Sequence, residues 1–219
     1  MRILTLDSAL ARCSAAVLED GTVLAQRSQD VTRGHATLLP VMARDVLHEA
    51  GLAATALDLV AVTVGPGSFT GIRAGLALAH GIALAAGIPV VAVTVGEALA
   101  AELSSLEGRA LWSATDSRRD RVFLEMDGAV TAYPLNDLPA PRGPIALAGD
   151  AAISVMAWLA ARGFDVMLTN ARLPRVLEIG AAATERHAGR LPPLAPQPLY
   201  VDPPEARLPA GGLRPPPTP

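Results

Sequence analysis

The chain has 219 residues, 51% of them apolar but only 3% aromatic, so its core must be built from Ala, Val, Leu and Ile. A formal net charge of −3 excludes a strong overall field for nucleic acid. The single cysteine, Cys13, excludes an internal disulfide and fits a reducing compartment, and the scattered histidines His35, His48, His80 and His187 exclude zinc spacing.

The first strand is predicted at Arg2–Asp7, ending on an aspartate with Ser8 behind it. Cys13–Leu18 and Thr22–Arg27 flank the turn Glu19-Asp20-Gly21 as a hairpin. His35–Glu49 reads as a helix with Leu39, Met42, Ala43, Val46 and Ala50 on one face, and Gly51 ends it. Asp58–Val64 is a strand buried on both faces, and Gly65-Pro66-Gly67-Ser68-Phe69-Thr70-Gly71-Ile72-Arg73 leads from it into a helix over Gly71–Ala86. Val90–Val95 is a further strand, and Glu97–Ser104 a short helix. The uncharged stretch Ala74–Val95 is long enough for a membrane span. Gly87-Ile88-Pro89 breaks it, however, and its second half is β-branched, so a buried helix and strand are expected, with no membrane contact.

A second unit starts near Arg109. Strands are expected at Ala110–Thr115 and Arg121–Met126, around the mixed-charge turn of Asp116, Arg118, Arg119 and Asp120, and then at Ala129–Tyr133 and Ile145–Ala148. Asp150 is expected to cap a helix over Ala151–Ala161. A strand at Val166–Leu168 and a helix at Arg175–Ala188 complete the series. Both units read as three strands followed by alternating helix and strand, which implies an α/β fold of two mixed sheets covered by helices. The expected division is a first lobe at 1–104, a smaller second lobe at 105–200 and a proline-rich tail at 201–219, disordered from Gly211.

The glycine-rich loop between strand and helix is the strongest functional signal. Three glycines remove side chains where backbone must turn or another molecule must approach, and a helix N-terminus suits an anion. The loop matches no standard nucleotide motif. It lacks the Gly-Lys-Ser/Thr of a P-loop, the chain has no lysine, and Gly65, Gly67 and Gly71 are spaced one residue too widely for a dinucleotide fold. Candidate nucleotide contacts are Asp7, Ser8, Gly65, Gly67 and Ser68. The bland alternative is a tight turn with close helix packing. Absence of glycine after Asp7 argues against active phosphotransfer.

In the following helix, Gly71, Gly75 and Ala79 recur every four residues, a flat stripe that a second helix can approach closely. Its opposite side is also apolar, which favours a subunit interface over burial within one chain. No Ser-His-Asp, Cys-His or paired-carboxylate arrangement can be argued from the spacing.

Four segments then carry a resemblance: Ile3-Leu4-Thr5-Leu6-Asp7-Ser8, Cys13-Ser14-Ala15-Ala16-Val17, His35-Ala36-Thr37-Leu38-Leu39-Pro40 and the Gly65–Arg73 string. In order and spacing the chain resembles the TsaB (YeaZ) family of bacterial tRNA threonylcarbamoyladenosine proteins. The likeness is clear to about Val95 and weak beyond, where only Ala110–Thr115, its charged turn and Pro198-Leu199-Tyr200 look familiar. The family's usual Asp-Thr-Ser is Asp7-Ser8-Ala9 here.

The resemblance implies the two-lobed actin, hexokinase and Hsp70 fold (ASKHA) and a cytoplasmic, non-catalytic scaffold. It implies pairing with the paralogue TsaD, which transfers threonylcarbamoyl from its adenylate to adenine beside the anticodon, and joining by the ATPase TsaE. It further implies a homodimer when alone, tRNA contact only through the complex, and no cofactor of its own, with ATP or ADP confined to the complex interface. TsaD-like proteins carry a His-x-x-x-His metal pair. Here Leu39 stands four residues after His35, so neither a metal nor a peptidase activity is implied. The implied partner surface comprises His35, Leu38, Leu39, Met42, Val46, Gly71, Arg73, Gly75, Leu78 and Ala79. The competing expectation is a nucleotide-dependent small-molecule kinase or ATPase of the same fold.

Overall fold

A run of seven buried residues, Leu59–Gly65, forms an inner strand of the first sheet, and it is apolar but for Thr63 because helices cover both of its faces. The computed structural model describes residues 1–103, 105–118 and 120–201. The expected tail from Gly211, Ser104 at the end of the third predicted helix, and Arg119 lie outside these residues.

In chain order the elements are β1 (Arg2–Asp7), β2 (Arg12–Glu19), β3 (Thr22–Asp30), α1 (His35–Glu49), a short 3-10 turn at Ala54–Ala56, β4 (Leu59–Gly65), α2 (Phe69–Ala86), β5 (Val90–Thr94) and α3 (Val95–Ala101). They continue with β6 (Ala110–Asp116), β7 (Arg121–Met126), β8 (Ala129–Pro134), β9 (Ile145–Ala148), α4 (Ala152–Ala160), β10 (Val166–Leu168) and α5 (Val176–His187). The first sheet runs β3-β2-β1-β4-β5 and the second β8-β7-β6-β9-β10, the same order twice. In each, the first strand pairs antiparallel with the second and parallel with the fourth. The same α/β topology, a mixed sheet covered by helices, thus occurs twice in the chain. The uncharged stretch Ala74–Val95 resolves into most of α2, the strand β5 and the first residue of α3.

The first sheet buries two cores. One lies under α1 and α2 and includes Leu6, Val17, Leu39, Val46, Val62 and Leu76. The other lies on the opposite face, where Val176, Ile179, Ala182 and Ala183 of α5 pack on Ile3, Leu18, Leu59 and Val93. Each large aliphatic side chain buried there contributes about 2 kcal/mol.

The placement of α5 corrects the expected division of the chain. The two sheets separate between α3 and β6, but α5 and the residues after it as far as Leu199 return to the first lobe. The sequence marked a helix at Arg175–Ala188 without saying which sheet receives it. A second correction concerns Asp150. Helix α4 has Ala151 at its N-cap and no side-chain cap. The Asp150 carboxylate instead accepts the Asp116 backbone N–H at 2.9 Å, tying two turns of the second lobe together.

Candidate functional site

The turn after β1 and the loop after β4 meet at the start of α2. The Ser68 N–H donates to the Ala9 carbonyl at 2.7 Å. The Ser8 hydroxyl donates to the Gly71 carbonyl at 2.8 Å. The Ser68 hydroxyl accepts the Gly71 N–H at 3.2 Å as the helix cap. A Cβ added at Gly67 would stand 2.2 Å from the Ala9 carbonyl oxygen, and one at Gly71 would stand 2.0 Å from that of Ser8. The glycines therefore make room for the chain's own backbone. A corresponding contact recurs in the second lobe, where a Cβ at Gly149 would stand 2.1 Å from the Ala114 carbonyl oxygen.

The structure thus brings together Asp7, Ser8, Gly65, Gly67 and Ser68, the five expected nucleotide contacts. It joins them to one another and does not leave them lining an open phosphate cradle. Asp7 is 0% exposed. One of its carboxylate oxygens accepts the Thr63 hydroxyl at 2.6 Å and the Ala9 N–H at 3.0 Å. The other oxygen is buried without a partner among the described residues. Burial pushes the Asp7 carboxyl above the usual aspartate range, against the opposing pull of the Thr63 hydrogen bond.

A carboxyl raised in the folded state binds its proton more readily there than in the unfolded chain. Its stabilisation is therefore full at low pH and is lost as pH rises through the raised pKa. Asp7→Asn should remove this dependence. Melting curves taken from acid to neutral pH should show the wild type losing stability relative to the variant as pH rises, and parallel curves would contradict the assignment. The neighbouring Cys13 thiol is likewise pushed up by burial, to about 11.

His35 opens α1 and is buried. Its Nε2 lies 3.0 Å from the Leu10 carbonyl oxygen, a backbone partner. The other expected interface residues divide sharply. Leu39, Met42, Val46, Gly71, Gly75 and Ala79 are buried in the chain's own core, Leu38 and Leu78 are half-buried, and Arg73 is exposed. The small-residue stripe of α2 therefore faces inward. A Cβ at Gly75 would stand 2.9 Å from the Ser8 hydroxyl oxygen and 3.5 Å from a Val62 methyl. The close approach that its spacing signals is made by the chain's own Ser8 turn, and residues buried there cannot form a contact surface.

The outward side of α2 is the one left open. Phe69, Arg73, Ala77, His80, Gly81, Leu84 and Ala85 are exposed along it, Leu84 at 86%. The helix carries no acidic residue, and apart from Thr70, Arg73 and His80 this side is apolar.

A further polar cluster ties the lobes together. The Thr94 hydroxyl donates to one oxygen of Glu125 at 2.6 Å, and the Gly96 N–H donates to the other at 3.0 Å. A side chain at Gly96 would collide with that carboxylate. Glu97 closes a capping box with Thr94 at the start of α3. Glu97 also pairs bidentately with Arg186 of α5, which donates to the Ala92 carbonyl as well. Burial raises the Glu125 carboxyl, and the charge of Glu97 adds to the rise. A cavity of about 390 Å³ opens beside these groups. Sequence reasoning missed the cluster. The one local signal was Thr94-Val95-Gly96-Glu97, a capping-box spacing just before an apolar run.

The family model described as TsaD, tRNA N6-adenosine threonylcarbamoyltransferase, matches residues 23–133, half of the chain. The chain is 40% identical over 94 residues to the tRNA threonylcarbamoyladenosine biosynthesis protein TsaB of Escherichia coli, covering 43% of this chain and 40% of that protein. It is 45% identical over 74 residues to the tRNA N6-adenosine threonylcarbamoyltransferase of Ruegeria pomeroyi, covering 33% of this chain and 20% of that protein. The solved structure of YeaZ from Pseudomonas aeruginosa superposes with a TM-score of 0.74 at 27% identity, over 91% of this chain and 99% of that one. This chain belongs to the TsaB (YeaZ) family. The matched segments reach less than half the length of the E. coli and R. pomeroyi relatives, whereas the fold of YeaZ is matched almost end to end. The segment matched by the TsaD model contains α1, the glycine loop and α2, but not β1 and the Asp7–Ala9 turn.

Proposed function

We propose that this chain is a non-catalytic partner subunit of the assembly that makes N6-threonylcarbamoyladenosine in tRNA beside the anticodon. It pairs with and activates a TsaD-family paralogue, and a TsaE-family ATPase joins the pair. The observation that carries this reading is the outward side of α2, an apolar strip led by Leu84 that the monomer leaves uncovered. The names of the relatives supply the pathway. The TsaD-model match supports the choice of partner, because a paralogue with equivalent helices can meet this one across a pseudo-two-fold axis.

Without the paralogue, the same strip closes a two-fold homodimer. The chain holds no cofactor of its own, and any ATP or ADP sits at the interface of the complex. With a net charge of −3, tRNA is gripped through the partner. The assembly is cytoplasmic. The sealed turn at Asp7 favours this reading over a nucleotide-dependent kinase, since the loop that would cradle phosphate is filled by the Ser8 and Ala9 backbone.

Light scattering after size exclusion tests the proposal, on the chain alone and mixed with the TsaD-family paralogue of the same genome. A homodimer replaced by a species of one-to-one mass is the expected result. Unchanged masses on mixing would overturn it.

A further inference from the structure

At the start of α2, two aromatic rings stand in solvent, Phe69 at 60% exposure and Tyr200 at 58%. Arg73 lies between them. Its guanidinium carbon is 3.5 Å from the centroid of the Phe69 ring and 5.7 Å from that of Tyr200. Its Nε and Nη2 donate to the Tyr200 hydroxyl at 3.2 and 2.7 Å. The rings are 6.4 Å apart and tilted by 44°. Cation–π contacts and hydrogen bonds thus hold three large side chains in one arrangement before anything binds.

The segment that brings Tyr200 here is itself pinned along α2. The Pro196 carbonyl lies 2.8 Å from His80 Nε2, and the Leu199 N–H donates to the Val64 carbonyl at 2.9 Å. Residues 196–200 therefore form a strap along α2 from Arg73 to His80, beside the uncovered strip. Phe69, Arg73, Ala77, Gly81 and Leu84 follow one another at three- and four-residue spacing, so the cluster and the apolar strip are a single face about 22 Å long.

Tyr and Arg are the side chains in which binding energy concentrates at protein interfaces, and a rigid cluster loses little conformational entropy on docking. Arg73 forms no ion pair among the described residues, and α2 offers it no carboxylate. From this continuity, composition and unbalanced charge we infer that Phe69, Arg73 and Tyr200 are the energetic centre of the surface that meets the TsaD-family paralogue. The C-terminal strap is part of that surface. The matching patch on the paralogue presents an apolar side chain to the rings and a carboxylate or backbone carbonyl to Arg73. The inference rests on the pairing proposed above and adds where its affinity resides.

Calorimetric titration of the paralogue from the same genome tests it. Tyr200→Ala and Phe69→Ala should each weaken binding at least tenfold. Tyr200→Phe, which keeps the ring and drops the acceptor for Arg73, should lose severalfold. Ile153→Ala, at an exposed apolar position on the second lobe, should change nothing, and all four variants should melt like the wild type. If the wild type binds and both alanine variants bind within about twofold of it, the inference is wrong and the pairing stands. If those variants instead lose direct tRNA binding, the cluster is a base-stacking platform and the inference is again wrong. A wild type that does not bind the paralogue at all would remove the pairing and the inference together.

Discussion

Gly71→Ala is expected to lower the melting temperature by roughly 6–12 °C. The added methyl would stand 2.0 Å from the Ser8 carbonyl oxygen and 3.2 Å from its carbonyl carbon. Neither is the loose end of a side chain. The Ser8-Ala9 turn cannot retreat freely, because the Ala9 carbonyl accepts the Ser68 N–H and the Ala9 N–H is held by Asp7. Overpacking of this kind costs about 3 kcal/mol, and each kcal/mol moves a chain of this length by roughly 2–4 °C. Gly81→Ala on the same helix is the control. Nothing lies within 4 Å of a Cβ there. Relieving a helix of glycine stabilises it by about 1 kcal/mol, so this variant should melt roughly 2–4 °C higher. If the glycine loop were a phosphate cradle open to solvent, Gly71→Ala would barely affect the unliganded protein. Melting of the two variants at the same temperature would contradict the packing described here.

Leu84→Asp is expected to abolish pairing and leave the fold untouched. Leu84 is 86% exposed in the monomer, so an aspartate there disturbs no intramolecular contact. In the paired state it would bury an unpartnered carboxylate against an apolar face, at a cost of about 3 kcal/mol or more, roughly a hundredfold in affinity. Titration with the paralogue and a parallel melt separate the two effects. Gly75→Leu, the substitution that the small-residue spacing suggests, cannot serve. Its side chain would run into the Ser8 hydroxyl and Val62, so any loss of binding would report a damaged core.

These two variants mark how far the sequence is legible. The termini of β1, α1, β7, β9 and β10 coincide with the predicted ones, because each run of apolar or periodic residues stops abruptly at polar, glycine or proline positions. The Gly71, Gly75 and Ala79 stripe announced a close approach, but periodicity is blind to what approaches. Only the folded chain places the Ser8 turn there. Asp150 sat in cap position by spacing, yet its carboxylate is taken by a backbone N–H that is 34 residues away in sequence.

Long-range polar pairs have no local signature at all. Arg186 reaches Glu97 across 89 residues, and Arg73 reaches Tyr200 across 127. The family resemblance pointed to α1 and α2. It did not separate their inner faces from their outer ones, because in α2 small and apolar residues continue onto the outward side.

On the function proposed above, this chain acts only through its partner. The most direct test is an assay of threonylcarbamoyl transfer to tRNA, supplied with the threonylcarbamoyl adenylate, ATP, the TsaD-family paralogue and the TsaE-family ATPase, with and without this chain. Modified adenosine should appear only when this chain is present with the paralogue. It should be nearly lost with Leu84→Asp and retained with Asp7→Asn. Full modification without this chain, or modification by this chain in the absence of the paralogue, would contradict the claim.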